Sequence, residues 1–451
     1  MIYWAPLLHF YQPPTQLHWV LRKVCIESYR PLVELFTDLP HAKVTININA
    51  VLTEMLYDHG YNDVVKGLQV LAKRGQVEFT GSGIYHPILP LIPQSEIARQ
   101  ISQNHKANKR LIGKLYNPKG FFPPEMCYSK RTLGSIVDSG HEWIIISGVA
   151  CPVSWPMNII HQVDADGTKI AVLFRDNILS NKISFHNIDA KGFIEHLKQV
   201  QKSQKGKGDI YVVTAMDAET FGHHIQGWEK IFLAGVYQSL ERDADAPNKS
   251  ASKPTAPAAS VSVHDPSRIT AGQHDGFLQL REVTEGKNIK AVTISELLDI
   301  FPRGETIEPR ASSWSTELSD IEAGNPYPLW NSPDNRIHQY LWEHMEIAMV
   351  IVNKALAVAK DNTAKQYADN ARTLLDAAMH SDQFWWASRR PWWDPNLIHR
   401  GLTKQREVVL NAYKAISLSN CSPKTKREFY YKVVAARHIS NKIVDEIFMT
   451  P

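Results

Sequence analysis

Two carboxylate-bearing segments carry the clearest chemical signal in the sequence. Glu125 follows the apolar, proline-rich residues 120–124, and Asp217 and Glu219 follow a second apolar run. A strand must end before Glu125, because Pro124 has no N–H to donate to a sheet ladder. In glycoside hydrolysis, one carboxyl group attacks or stabilises the anomeric carbon while another protonates the departing oxygen. Since the chain shows no nucleophilic Ser or Cys motif, the paired carboxylates favour this chemistry.

Polar residues follow other apolar segments in the same way. His9 and His86 come after two of them, and His223 follows the second carboxylate segment. Read singly, His9 and His86 are better explained as hydrogen-bonded structural residues, and Glu125 is equally well explained as a surface residue that caps the next helix. The strands of a parallel barrel, however, end at one rim, where catalytic residues collect. We therefore expect these side chains, together with Glu78, to surround a single cleft.

Tryptophans are concentrated in two loops of the last third of the sequence. The first loop, residues 312–316, contains Trp314. The apolar faces of sugar rings stack on such side chains, which supports a carbohydrate cleft, although core packing explains the tryptophans of the second loop equally well. The tryptophans of the second loop are Trp385, Trp386, Trp392 and Trp393.

The elements that must position these residues alternate between strand-like and helical patterns. This alternation predicts an α/β fold with a parallel sheet, and seven strands favour a closed or nearly closed barrel. No glycine-rich phosphate loop follows the first strand, so a dinucleotide-binding sheet has no support. A further β-rich pair, at residues 161–163 and 169–174, is predicted to form a hairpin that turns at the Asp-Gly of residues 165–167. The seven predicted strands are residues 2–9, 43–48, 76–80, 120–122, 142–147, 210–215 and 290–294.

The composition divides the chain into two predicted domains. Residues 1–302 form the barrel, interrupted at about 243–276 by an Ala-, Pro-, Ser- and Thr-rich insertion that we expect to be flexible. Residues 303–451 are dominated by long amphipathic helices and form a helical domain against the barrel.

Charge and cysteine content exclude several classes of protein. The net charge of +4, from 50 basic and 46 acidic residues, is too small to indicate a nucleic-acid partner. No segment approaches the ~18 apolar residues of a membrane span. The first residues lack the features of a signal peptide and read as a strand. Four cysteines without a CxxC pair argue against a disulfide framework or zinc knuckle and suit the cytoplasm.

The motifs as a set resemble glycoside hydrolase family 57. That family opens with His-x-His-Gln-Pro, and residues 9–13 match it, except that Tyr11 replaces the second histidine. Residues 83–87, 123–125 and 217–223 resemble its second, third and fourth regions in the right order. The fifth region is the least distinct, and residues 293–298 are the candidate for it.

The resemblance implies an incomplete (β/α)7 barrel followed by helices, and a retaining enzyme that acts on α-glucans without a cofactor. It implies Glu125 as the nucleophile and Asp217 as the acid/base, so that Glu125 should be ionised and Asp217 protonated when the reaction begins. The residues then expected to contact the sugar are His9, Gln12, Glu78, His86, Glu219, His223 and Trp314.

The departure at Tyr11 bears on metal binding. Related barrels, the α-mannosidases and carbohydrate deacetylases, bind a metal ion through residues of the first strand. Tyrosine at this position leaves only His9 there, whereas a zinc site needs three or four ligands. No metal is therefore expected. A metal-dependent carbohydrate hydrolase or deacetylase and a non-catalytic carbohydrate-binding protein remain as alternatives.

Overall fold

The structure is a computed structural model, and it describes residues 1–153, 155, 157–204, 208–244 and 288–449. The insertion predicted at about 243–276 lies outside the described residues except for its first two positions, so its flexibility remains a prediction. Among the helices of these ranges, none has both the length and the apolar composition required to cross a bilayer.

Ten strands form one sheet that curls into an incomplete barrel. Seven of them are parallel and follow the order β7-β5-β4-β3-β2-β1-β8. The antiparallel β6 and then β10 extend the sheet beyond β7, and β9 pairs with the start of β1. The strands are β1 Ile2–Phe10, β2 Val44–Ile48, β3 Val77–Gly81, β4 Gly120–Phe121, β5 Trp143–Ser147, β6 Ile160–Ala165, β7 Thr168–Arg175, β8 Ile210–Asp217, β9 Ile289–Ala291 and β10 Arg303–Thr306.

Hydrogen bonds at the carboxyl end bring the two ends of the parallel path together. The backbone N–H of Asp176 donates to the carbonyl of Val213 at 2.8 Å. The Nε of Arg175 donates to the carbonyl of Ala215, also at 2.8 Å. β1 and β8 are buried along nearly their whole length, as is typical of parallel strands covered by helices on the outside.

The predicted (β/α)7 barrel is confirmed, but one of its strands differs from the prediction. The predicted hairpin forms, with Asp166 and Gly167 both at positive φ in its turn. Its second strand, β7, then pairs with β5 and takes the seventh place in the parallel path. The strand predicted at 290–294 is the short β9, which meets only residues 2–4 of β1. The burial of β7 explains this difference, since its last six residues are all buried.

Helices cover the barrel and then form a bundle at the C-terminal side. Side chains of Asn335, Asp361 and Asp394 cap three of the bundle helices by accepting backbone N–H bonds. The helices are α1 His18–Val24, α2 Arg30–Asp38, α3 Ala50–Asp58, α4 Asn62–Lys73, α5 Gln94–Ile112, α6 Leu133–Asp138, α7 Asn177–Ser184, α8 Ala190–Ser203, α9 Gly235–Ala244, α10 Ile294–Ile300, α11 Leu318–Glu322, α12 Arg336–Val358, α13 Asn362–Ala378, α14 Asp382–Trp385, α15 Pro395–Leu418 and α16 Pro423–Met449.

A buried network of charges attaches the bundle to the barrel. Arg372 on α13 makes two 2.9 Å bonds to the carboxylate of Glu96 on α5. It also bonds Asp376, 2.7 Å away, which in turn accepts from Arg99 at 2.6 Å. Glu96, Arg372 and Asp376 are all buried. Because α13 leads directly into residues 380–386, this network fixes where that segment meets the barrel.

Replacing Arg372 with methionine should destabilise the protein strongly. The substitution leaves the carboxylate of Glu96 buried without its cationic partner and removes one of the two arginines that bind Asp376. Breaking a buried ion pair in this way typically costs about 3–5 kcal/mol of unfolding free energy. Urea denaturation measures this loss. The matched control is Arg110→Met, which removes an exposed pair with Glu54 and should cost no more than about 1 kcal/mol. Equal losses of unfolding free energy in the two variants would show that the buried network contributes no more stability than an exposed ion pair.

Candidate active site

A cavity of about 830 Å³ opens at the carboxyl ends of the barrel strands. His9 near the end of β1 and Asp217 at the end of β8 are paired in register, and Arg175 ends β7 beside them. The helical region supplies the opposite wall. Of the residues predicted from the sequence, those that line the cavity are His9, Gln12, His86, Glu125, Asp217, Glu219 and Trp314.

The backbone at Glu125 is held in a conformation that non-glycine residues rarely adopt. Glu125 has φ 57° and the next residue, Met126, has φ 48°. Each such residue costs on the order of 1–3 kcal/mol, so the surrounding structure must enforce it. The N–H of Trp314 donates to the carbonyl of Glu125 at 3.1 Å and helps to do so. His86, at φ 57°, has the same unusual conformation.

Three side chains contact the carboxylate of Glu125. Trp314 Nε1 donates to Oε2 at 3.0 Å, and the Ser381 hydroxyl donates to Oε1, also at 3.0 Å. His86 Nδ1 lies 3.5 Å from Oε1 and 2.9 Å from Ser381 Oγ. Burial, reinforced by the neighbouring His9 and His380, lowers the pKa of His86 well below its usual value. His86 is therefore a neutral donor to Ser381, which in turn donates to Glu125.

Burial raises the pKa values of the two central carboxyl groups to different extents. It raises the pKa of Glu125 to about 8, with further contributions from the charges of Asp382 and Asp217. It raises the pKa of Asp217 only to about 6, because Arg175 opposes the shift. Glu125 thus holds its proton more tightly than Asp217. This order is the reverse of the one expected for a nucleophile and an acid at the start of a retaining reaction.

Arg175 is a buried cation whose hydrogen bonds go to neutral oxygens. Besides the carbonyl of Ala215, its guanidinium donates to Asn177 Oδ1 at 3.1 Å and to Asn181 Oδ1 at 2.9 Å. It also lies 6.0 Å from the centre of the Trp314 ring. Burial lowers the pKa of Arg175 to about 10, so it remains charged at neutral pH. The sequence analysis missed this residue.

Glu219 lies beside Asp217 but is held by hydrogen bonds of its own. The Tyr29 hydroxyl donates to Oε1, and Gln12 Nε2 donates to the same oxygen at 2.9 Å. Burial and the charge of Asp217 raise the pKa of Glu219 to about 8. Glu219 therefore connects the loop after β1, through Gln12, to the end of β8.

His9 and Tyr11 form an aromatic stack with His86. The His9 ring lies 4.9 Å from that of His86, and the Tyr11 ring lies 4.1 Å from it. Burial lowers the pKa of His9 to about 4, so Nδ1–H of its neutral ring donates to Asn47 Oδ1 at 2.6 Å. Tyr11, which stands where the family pattern has a second histidine, has a hydrogen-bond partner of its own: its hydroxyl donates to Asp382 Oδ2 at 2.5 Å.

Two residues predicted to contact the sugar do not line the cavity, and their assignments are corrected. Glu78 is the second residue of β3, far from its carboxyl end, and accepts from Thr45 at 2.7 Å and from the N–H of Ser295 at 3.0 Å. His223 bonds Glu27 at 2.6 Å, and it is His224 that lines the cavity.

The segment proposed as the fifth motif also has a structural role. Residues 293–298 form the start of α10, where Thr293 and Glu296 make a reciprocal capping box. Glu296 also pairs with Lys43. None of these residues lines the cavity.

The helical region supplies the part of the site that the sequence analysis did not assign. His380 forms an antiparallel bridge with Pro87, and the N–H of Ser381 donates to the carbonyl of His86 at 3.0 Å. These bonds place Ser381 and Asp382 against Glu125. The concentration of aromatic residues at 383–394 was the available signal. Of the four tryptophans there, Trp385, Trp386 and Trp392 line the cavity, whereas Trp393 does not.

Solved structures of known enzymes share this architecture. A branching enzyme from Pyrococcus horikoshii, described as GH57-type, superposes with a TM-score of 0.67 at 15% identity, covering 97% of this chain and 94% of that one. An exo-type maltose-forming amylase from Pyrococcus sp. ST04 gives a TM-score of 0.69 at 11% identity, covering 96% and 82%. At these identities, the likeness establishes the fold.

Sequence comparisons identify the family. An α-amylase of Pyrococcus abyssi is 26% identical over 51% of this chain and 34% of its own length. A 4-α-glucanotransferase of Thermococcus litoralis is 27% identical over the same shares. The match thus spans about a third of the length of these relatives. The model of the family described as "Glycosyl hydrolase family 57" matches residues 8–255, more than half of the chain. The chain therefore belongs to glycoside hydrolase family 57, as its motifs indicated.

Proposed function

We propose that this protein is a retaining glycoside hydrolase or transglycosylase that acts on α-1,4-linked glucans, with Glu125 as nucleophile and Asp217 as acid/base. The observation that carries the proposal is that both carboxyl groups, which follow or end different strands, line one cavity, where the charge of Asp217 contributes to the raised pKa of Glu125. The names of the matched relatives, α-amylase and 4-α-glucanotransferase, supply the substrate class.

In the proposed reaction, a Glu125 oxygen attacks the anomeric carbon while the bond to the departing glycosidic oxygen breaks. Asp217 gives its proton to that oxygen, and a glycosyl ester with Glu125 results. Asp217 then removes a proton from water or from a sugar hydroxyl, which attacks the ester and releases the product. Since burial raises the pKa of Glu125 above that of Asp217, the proton must pass from Glu125 to Asp217 before attack.

The remaining lining residues are proposed to bind the sugar at the reaction centre. His9 uses Nδ1 for Asn47, which leaves Nε2 as an acceptor for a sugar hydroxyl. His86 Nε2 is buried and has no hydrogen-bond partner within the described ranges, as expected of a group that a ligand satisfies. Gln12, Glu219 and Trp314 complete this set.

We further propose that the protein acts in the cytoplasm. All four cysteines are free thiols, and Cys25 and Cys127 are buried. Thiols in this state suit a reducing compartment.

The proposed activity is tested by incubating the protein with maltooligosaccharides. NMR of the first product should show the α-anomer, because two displacements at the anomeric carbon retain its configuration. Products shorter than the substrate would indicate hydrolysis, and longer products in addition would indicate transfer. A β-anomer as first product would contradict Glu125 as nucleophile, and unchanged oligosaccharides would contradict the substrate class.

Neutral replacements of the two carboxylates should have different effects. Glu125→Gln removes the attacking oxygen, so turnover should fall by about a thousandfold or more on every substrate. Asp217→Asn should slow maltooligosaccharides by about 10²–10⁴-fold but aryl glycosides much less, because an activated group departs without a proton. The matched control is Glu78→Gln, a part-buried carboxylate outside the cavity whose amide oxygen still accepts its two hydrogen bonds. A loss as large in the control as in Glu125→Gln would refute the specific roles.

Replacing Trp314 with phenylalanine should shift the basic limb of the kcat/KM profile to higher pH. The Nε1–H bond stabilises ionised Glu125 and so lowers its pKa, and its loss should raise that pKa by about one pH unit. Because Glu125 carries the proton that Asp217 later gives to the departing oxygen, activity is lost where Glu125 loses it, and this point then lies at a higher pH. Trp393→Phe, outside the cavity, is the control and should leave the limb in place. An unmoved limb in Trp314→Phe would argue against Glu125 as the group that carries this proton.

A further inference from the structure

One wall of the cavity is formed by the C-terminal end of α7. Asn181, Ser184 and Phe185 all line the cavity from this helix. Phe185 follows the last residue of α7 and closes it, with its N–H donating to the carbonyl of Asn181 at 2.9 Å. Its side chain is 70% exposed. A benzyl side chain so open to water at the entrance of a cleft is the feature that needs an explanation.

The exposure of Phe185 does not result from a loose helix. Asp176 caps the start of α7 by accepting from the N–H of Leu179 at 2.9 Å. At the other end, Trp228 Nε1 donates to the carbonyl of Ile183 at 3.1 Å. The residue after Phe185, His186, packs its ring 4.2 Å from that of Trp228. The chain on both sides of Phe185 is thus anchored, and the ring is held out over the cavity.

The helix is also tied to the acid/base side of the cleft. Ser180 Oγ accepts from the N–H of Ala215 at 3.2 Å, and Arg175 donates both to Ala215 and to Asn181. Ala215 lies two residues before Asp217 on the same strand. Phe185 is therefore fixed relative to Asp217, beyond the residues that surround the reaction centre.

The chemistry of this wall matches that of a sugar ring. A glucosyl unit presents an apolar face of C–H groups and an edge of hydroxyls. Phe185 offers an apolar surface, and covering it with a ligand would be favourable. Ser184 has a hydroxyl group, and Asn181, whose oxygen accepts from Arg175, has an amide NH2 donor. A flat apolar surface beside short polar groups suits a pyranose.

We propose that Phe185, with Asn181 and Ser184, forms an outer glucosyl subsite on the Asp217 side of the cleft, so that the enzyme favours longer α-glucan chains. This inference rests on the proposed function. A glucosyl unit bound there lies outside the bond that breaks, so its contribution appears only for substrates long enough to reach it. Phe185 is thus a specificity-determining residue, and short substrates do not depend on it.

The test compares kcat/KM for maltotriose and maltoheptaose in matched variants. Phe185→Ala should lower the value for maltoheptaose by about threefold to tenfold, the range expected for one aromatic contact, and change that for maltotriose by less than about twofold. Phe185→Trp keeps an aromatic ring at this position and should therefore keep the wild-type preference for the longer chain. The control is Ile178→Ala: Ile178 lies on the same helix, is 69% exposed and does not line the cavity. It should leave both values unchanged.

The outcomes separate this inference from the function on which it rests. A wild-type kcat/KM on both chain lengths in Phe185→Ala, or an equal loss on both, would refute the outer subsite. Either result would leave the glucan activity unaffected. A loss of the same size in Ile178→Ala would refute it too, by showing a general effect on α7. A wild-type protein inactive on every maltooligosaccharide would overturn the proposed function and this inference together.

Discussion

Exclusion of water from several carboxylates is the constraint on which the site depends. Glu125, Asp217 and Glu219 all line one cavity, and burial raises the pKa of each. Hydrogen bonds from Trp314, Ser381, Tyr29 and Gln12 limit the cost, and Arg175 supplies a buried positive charge. The unusual backbone at Glu125 occurs at the residue whose carboxyl group accepts from Trp314 and Ser381.

The barrel alone does not satisfy this constraint. Its strand ends carry Asp217 and the turn at Glu125, but Ser381 and Asp382 come from the segment after α13. That segment is held twice: by the bridge to His86 and Pro87, and at a distance by the buried charges between α5 and α13. Since no residue of α13 lines the cavity, we expect changes on α13 to affect Glu125 only through the position of Ser381. The barrel and the bundle form one functional unit.

Much of this arrangement follows from local sequence rules, and the exceptions have physical causes. A proline pair ends a strand wherever it occurs, and one lies directly before Glu125. The position of Glu125 after a strand end could therefore be predicted from the sequence. Glu78 was misplaced because an apolar segment does not reveal which of its ends a polar residue lies near. The seventh place in the parallel path was predicted for the strand at 290–294 (β9), whereas the structure gives it to β7. Which strand takes that place depends on which one is buried in the assembled sheet.

Two other features were beyond local rules because they join residues distant in sequence. Tyr11 departs from the family pattern and suggested a lost ligand, but its hydroxyl has a partner, Asp382, that is 371 residues away. Arg175 could not be predicted from the sequence, because its role depends on groups that only the fold brings around it. These groups are the neutral oxygens that it donates to and the carboxylate of Asp217.

The bond between Tyr11 and Asp382 also has a consequence for synthesis. Tyr11 leaves the ribosome 371 residues before Asp382, which follows only after the barrel strands have been made. Until then Glu125 lacks Ser381, and one wall of the cavity is absent. A ribosome-bound chain that has finished its barrel thus carries both central carboxylates without the environment that sets their protonation. The cavity is complete only when the segment after α13 has been made and packed against the barrel.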